Sequence, residues 1–243
     1  MDESKDSSLK ALLAEKSWFG FDLDDTLHGF RHASTAAIGK TLDTISQRYR
    51  TPWTSLEEEY NKILREKTAG AFSEGKTSFE YRRERFASLL ERFSLPQDTA
   101  FLDELLDVYE TSLNQSLQLK DGAASIFETL KRTGKKIAVI TEGPQDAQER
   151  TVQNLGIADH VDFLATTNYF GVSKIDGLFP TVLSRLGISA ADMVYVGDSE
   201  LRDMRPAMAG GIFCIHFNEA AQTSWASQPP RIESLRDLEH ALT

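Results

Sequence analysis

One recurring order dominates the second half of the chain: a segment of helical character, a glycine, then a short apolar run within a few residues. The glycines end Leu130-Lys-Arg-Thr-Gly134, Asn154-Leu-Gly156, Arg185-Leu-Gly187 and Met208-Ala-Gly210, where a left-handed residue would cap a helix. The apolar runs read as strands over Trp18–Asp22, Lys136–Thr141, Phe163–Thr166, Met193–Gly197 and Ile212–Phe217. They are continuously apolar or β-branched, as strands are when a parallel sheet is covered on both faces. Helix, glycine and strand in repetition predict an α/β fold with an open, parallel, Rossmann-like sheet and right-handed crossovers.

Residues 30–117 break that order. Leu56, Tyr60, Ile63 and Leu64 share one helical face, and Leu102, Leu105, Leu106, Tyr109 and Leu113 repeat the pattern. Thr51-Pro52, the stretch Gly70 to Gly75 and Ser94-Leu-Pro96 punctuate the helices. The expected division is a polar N-terminal leader over 1–16, an α/β core built from 17–29 and 118–243, and a helical insert of about ninety residues between them. Ser227-Gln-Pro-Pro-Arg231 reads as a linker to a short terminal helix.

Composition narrows the function classes. A formal net charge of −10 argues against nucleic acid as the main partner, because such binders carry a basic face. No apolar stretch approaches the roughly 20 residues that span a bilayer, and the first sixteen residues lack the apolar segment of a signal peptide. The single cysteine, Cys214, excludes an intrachain disulfide and reads as a core residue. A cytoplasmic location without a membrane partner is expected.

The first strand ends in Asp22-Leu-Asp24-Asp-Thr26. Residues two apart in an extended segment point the same way, so Asp22 and Asp24 can converge at a carboxyl edge, where open α/β sheets place their ligands. Two like charges there call for a cation, and oxygen-only ligands suit Mg²⁺. Alone, the pair reads better as a solvated turn. However, the second strand ends in Thr141, the loop after the third holds Lys174, and the fourth ends in Gly197-Asp198-Ser199-Glu-Leu-Arg-Asp203. A hydroxyl, an ammonium and four carboxylates along one sheet edge make a phosphoryl-transfer site with its metal.

This ordered set resembles the haloacid-dehalogenase-like hydrolases, over residues 17 to about 217. The resemblance implies a central first strand flanked by the second and fourth, and an α-helical cap at 30–117. It implies Asp22 as nucleophile and metal ligand, and Asp24 as acid and then base, with its main-chain carbonyl on the metal. Thr26 would hold the loop, and Thr141 and Lys174 would grip the phosphoryl oxygens. Asp198 would bind Mg²⁺, while Asp203 would lie behind it and orient Lys174. The implied substrate is a small soluble phosphorylated metabolite such as a nucleotide or sugar phosphate.

Two departures stand out. Ile175-Asp176 follow Lys174 where many relatives have proline, and Glu142 follows Thr141 where asparagine is commoner. Glu142 reads as a solvated loop residue ahead of one that faces the cap and influences the leaving group, and His28 and His32 read either as exposed hinge residues or as contacts to substrate. The run Tyr81-Arg-Arg-Glu-Arg85 reads as a solvated helix face ahead of a cationic patch for a substrate anion. Dehalogenases lack the second aspartate, because no leaving oxygen needs a proton, so Asp24 argues against that chemistry. A phosphomutase would use the same four motifs and return the phosphoryl group to its substrate. A non-catalytic phospho-acceptor or scaffold fits less well, since Asp24 beside the acceptor would hasten loss of the phosphoryl group.

Overall fold

The computed structural model describes residues 3–67, 72 and 75–242, with side chains from residue 9 onward. Its strands are β1 Trp18–Phe21, β2 Lys136–Thr141, β3 Phe163–Thr166, β4 Met193–Gly197, β5 Phe213–Phe217 and β6 Arg231–Ile232. All pair in parallel in the order β3-β2-β1-β4-β5-β6, so β1 sits between β2 and β4. Phe21 is level with Val139 and Val196, which brings the carboxyl ends of the three central strands together.

The strands lack polar alternation because their two faces feed two cores. Phe19, Phe21, Ile137, Val139, Val194 and Val196 enter one, and Ala138, Ile140, Met193, Tyr195 and Cys214 the other. Cys214 is therefore the core residue its surroundings predict. Gly20 serves this packing, since a Cβ there would lie 2.9 Å from the Tyr195 ring.

The helices are α1 Glu3–Glu15, α2 Phe30–Tyr49, α3 Trp53–Lys67, α4 Ser78–Arg92, α5 Thr99–Gln115, α6 Ala123–Arg132, α7 Gln145–Asn154, α8 Thr167–Phe170, α9 Phe179–Leu186, α10 Arg205–Ala209 and α11 Leu235–Leu242. Helices α2 to α5 build a third core of their own, around Leu42, Leu56, Tyr60, Phe86, Leu105 and Tyr109. The periodic faces of α3 and α5 point into it, with Leu64 at its edge. Thr77 starts α4 with a reciprocal cap, its hydroxyl accepting from Glu80 N while Glu80 accepts from Thr77 N.

Three expectations change. The segment 1–16 contains helix α1, and Leu13, fully buried, joins the sheet core; Leu9 and Leu13 carry the i, i+4 spacing that a polar average conceals. The first and fifth strands end and begin one residue inside the expected bounds, at Phe21 and Phe213. Part of the expected linker is strand β6, two residues long and too short to show periodicity. The expected loop from Gly70 to Gly75 lies largely outside the described residues. No helix among the described residues is long and apolar enough to cross a membrane.

Candidate active site

Asp22 continues the line of β1 by one residue, its N–H donating to Val196 O at 2.9 Å. Its carboxylate is 8% exposed and accepts from Lys174 Nζ at 2.5 Å. The same ammonium lies 2.5 Å from Asp203 Oδ1, so one buried cation bridges two carboxylates from different strand ends. Asp203 is fixed further by the Tyr195 hydroxyl at 2.9 Å and by Ser199 N, which donates to Oδ2 at 2.9 Å. Gly197 makes room for it, because a Cβ there would fall 2.6 Å from Asp203 Cγ.

Lys174 reaches this point without the following proline that the family resemblance leads one to expect. Ser173 Oγ accepts from Asp176 N at 3.2 Å and donates to the Asp176 carboxylate, closing the turn that Pro would otherwise stiffen.

The electrostatics follow from burial. Burial pushes the Asp22 carboxyl well above the usual carboxylate range, against the Lys174 charge and with Asp203 and Asp24 adding to the rise. Burial works against the Lys174 ammonium, but Asp203 and Asp22 outweigh it and hold the amine above the ordinary lysine range. Asp198 is raised by burial and then by Asp203, with Arg31 opposing; Arg31 Nη2 donates to Asp198 Oδ2 at 3.3 Å. Asp22, Asp198 and Asp203 each offer an oxygen within 4.8 Å of the others. Three carboxylates facing one ammonium leave excess negative charge, and this oxygen-only set fits a hard divalent ion such as Mg²⁺.

Asp24 is held differently. Its Oδ1 pairs with His28 Nε2 at 3.0 Å and its Oδ2 accepts from Gln148 Nε2 at 3.3 Å. Gln148 also donates to Glu142 O at 3.0 Å, and Gly143 admits it, since a Cβ there would sit 2.6 Å from Nε2. His28 is fully buried rather than at an exposed hinge, because the turn after Asp24 folds back on it: Asp25 N donates to His28 O at 2.8 Å. His32 is exposed. Asp25 takes a φ of 64° in that turn, a left-handed conformation aspartate tolerates, and its carboxylate pairs with Arg31.

Thr26 is fully buried and its hydroxyl has no hydrogen-bond partner among the described residues; the turn is closed by backbone bonds, Asp25 N donating to His28 O and both Leu27 N and His28 N donating to Leu23 O. The Thr141 hydroxyl is also buried and unpaired, but Thr141 lines the main cavity. Glu142 departs from the solvated-loop expectation: it lines the same cavity and accepts from Arg202 Nη1 and Lys174 N, each at 3.4 Å.

That cavity holds about 560 Å³, with Asp22, Asp24, Thr141, Lys174 and Asp203 on the sheet side. Phe30, Arg82, Arg85, Tyr109 and Leu113, from the helical unit, face them. Arg82 is 7% exposed, not solvated; it pairs with Glu110 and lies 4.4 Å from the Tyr109 ring centre. Arg83, the next residue, keeps the surface position expected of the run. Helix α7 ties the two parts together: Asp146 accepts from Ser78 N at 2.8 Å and Ser78 Oγ at 2.7 Å, and Arg150 Nε donates to Glu110 Oε1 at 2.9 Å.

Sequence reasoning missed His28 and Gln148 as partners of Asp24. The four-residue spacing from Asp24 could have flagged His28; nothing in the helix sequence marks Gln148.

Known proteins resemble this chain in sequence and in fold. The ribulose-1,5-bisphosphate 5-phosphatase of Halopiger xanaduensis is 25% identical over 226 residues, covering 91% of this chain and 93% of that protein. The glyceraldehyde 3-phosphate phosphatase of Pyrococcus abyssi is 23% identical over 198 residues, 81% of this chain and 79% of that protein. The crystal structure of a 2-haloacid dehalogenase from Pseudomonas syringae pv. Tomato superposes with a TM-score of 0.71 at 25% identity, covering 93% of this chain and 98% of that one. The model of the family described as haloacid dehalogenase-like hydrolase matches residues 17–211, a span that runs through every motif-bearing strand end, and the chain belongs to that family.

Proposed function

We propose that this protein is a phosphatase that hydrolyses small soluble phosphomonoesters through a phosphoaspartate on Asp22. The observation that carries the reading is the contrast between two aspartates two residues apart. Asp22 is buried against an ammonium, while Asp24 is held by a histidine and an amide at the cavity wall. The Lys174 ammonium, together with the cation that the three carboxylates would hold, favours the anionic form of Asp22 against the rise that burial imposes, which leaves Asp24 to act as proton donor. The phosphatases among the relatives support the same reading.

In the first step an Asp22 oxygen bonds to phosphorus as the bond to the leaving oxygen breaks, and Asp24 gives that oxygen its proton. Lys174, already on Asp22 Oδ1, reduces repulsion between the anionic nucleophile and the anionic ester. The unpaired Thr141 hydroxyl is free to donate to a phosphoryl oxygen. In the second step water attacks the same phosphorus, its proton passes to Asp24, and phosphate leaves with Asp22 restored.

Asp22, Asp198 and the Asp24 main-chain carbonyl would hold Mg²⁺, with Asp203 behind them orienting Lys174; the ion would supply positive charge to the phosphoryl oxygens. Residues 30–117 act as a cap on the core formed by 17–29 and 118–243, excluding water from the cavity. The dehalogenase fold neighbour does not shift the reading, since Asp24 has no task where no leaving oxygen needs a proton.

The test compares two substitutions by intact-protein mass after brief exposure to acetyl phosphate and Mg²⁺. Asp24→Asn gains one phosphoryl group, mapped to Asp22, because an acyl phosphate leaves without a proton and the second step is slow. Asp22→Asn gains none. Near-normal phosphate release by Asp22→Asn would mean direct attack by water and end the covalent mechanism.

A further inference from the structure

We infer that Arg85 is the receptor for a second anionic group on the substrate, so that the preferred phosphomonoester carries a carboxylate or another phosphate at its far end. The inference rests on the phosphatase reading for where the phosphoryl group sits. Arg82 and Arg85 are three residues apart on α4 and line the same cavity wall, yet only one of them is neutralised. Glu110 takes Arg82 on one oxygen and Arg150 on the other. Asp146 is occupied by Ser78 and Arg150. Glu142, on the opposite wall, is paired with Arg202.

Arg85 makes no ion pair among the described residues. Its one hydrogen bond there runs from Nε to Tyr81 O at 3.1 Å. That bond fixes the plane of the guanidinium and leaves both terminal nitrogens for a ligand. A planar fork of this kind matches carboxylate and phosphate oxygens two at a time. Phe30, Tyr109 and Leu113 add an apolar lining, so an anion reaching Arg85 would meet little competing water. A cavity of about 560 Å³ has room for more than the phosphoryl group and one or two carbons.

The experiment uses matched esters that differ only in the distal charge. One pair is 3-phosphoglycerate against glycerol 3-phosphate, and the other is ribose 1,5-bisphosphate against ribose 5-phosphate. The native protein should favour the anionic member of at least one pair, and the pair concerned tells carboxylate from phosphate. Arg85→Gln should lower that preference, as a ratio of kcat/KM values, by about 10- to 100-fold, the worth of a charge-assisted hydrogen bond. Arg85→Lys should restore part of it, through charge without the fork. An unchanged ratio in Arg85→Gln, or no preference in the native protein, overturns the inference while leaving the phosphatase reading intact. If no ester releases phosphate, that reading fails instead. The subsite is then judged by thermal melting with the same pairs, where the anionic member must stabilise the native protein more than Arg85→Gln.

Discussion

His28 offers the sharpest test of the proton-transfer role proposed for Asp24. The imidazole is fully buried and lies 3.0 Å from Asp24 Oδ1, with Gln148 at 3.3 Å on the other oxygen. Replacing His28 with Leu keeps an apolar side chain in the space and removes the bond. A hydrogen bond to a charged group contributes about 1.5–3 kcal/mol. Asp24 is 24% exposed, so water can replace part of the loss, and the effect belongs at the lower end, about tenfold. The assay is kcat/KM for an alkyl and an aryl phosphate, since this ratio reports events up to formation of the phosphoenzyme. The alkyl ester should lose about tenfold, because its leaving oxygen needs the proton that the proposed mechanism assigns to Asp24. The aryl ester should lose less than about threefold in kcat/KM, although its kcat falls if dephosphorylation becomes limiting. His28→Gln, which can place an amide nitrogen near the lost Nε2, should recover much of the alkyl rate. Equal losses on both esters in His28→Leu, without recovery in His28→Gln, would reduce His28 to a packing residue and refute the reasoning.

Two further outcomes follow from the same geometry. A chelator should abolish phosphate release and Mg²⁺ should restore it, while Ca²⁺, which accepts more ligands at longer range, should not; independently of turnover, Mg²⁺ should raise the melting temperature of the native protein and lose that effect in Asp198→Asn. Leu13→Ala should destabilise the fold by about 2–5 kcal/mol in denaturant unfolding, and a change below about 0.5 kcal/mol would mean that α1 contributes no core.

The strand ends and their chemistry were legible in the sequence because two local rules coincide there. A buried parallel strand must be apolar throughout, so a polar residue at its carboxyl end stands out, as Asp22, Thr141 and Asp198 do. Lys174 could be found from its place after β3, but not its bridging position, which depends on Asp203 arriving beneath a residue without a side chain, Gly197. The Tyr81–Arg85 run shows the opposite case. Neighbouring arginines point in different directions on a helix, and which of them is solvated depends on Glu110, 28 residues further on from Arg82. Charge runs read from sequence carry no such information. Likewise α1 and β6 were missed because a polar helix with a narrow apolar seam and a strand of two residues give weak periodic signals.

Helix α7 explains why several residues outside the motifs belong to the site. Its first turn carries Asp146, which receives two hydrogen bonds from Ser78 at the start of α4; its second carries Arg150, which reaches Glu110 on α5. Between them Gln148 points to Asp24 and Glu142 O. A helix is stiff over two turns, because its own backbone hydrogen bonds fix the spacing of every side chain it presents. The placement of α4 and α5 over the cavity and one of the two restraints on the Asp24 carboxylate are therefore set by the same ten-residue element, Gln145–Asn154. Arg85 rides on α4, whose first residue is the one Asp146 holds. The distance between Arg85 and Asp24 is thus fixed through short, bonded connections rather than through loops. That is the requirement a site must meet if it is to measure the length of its substrate.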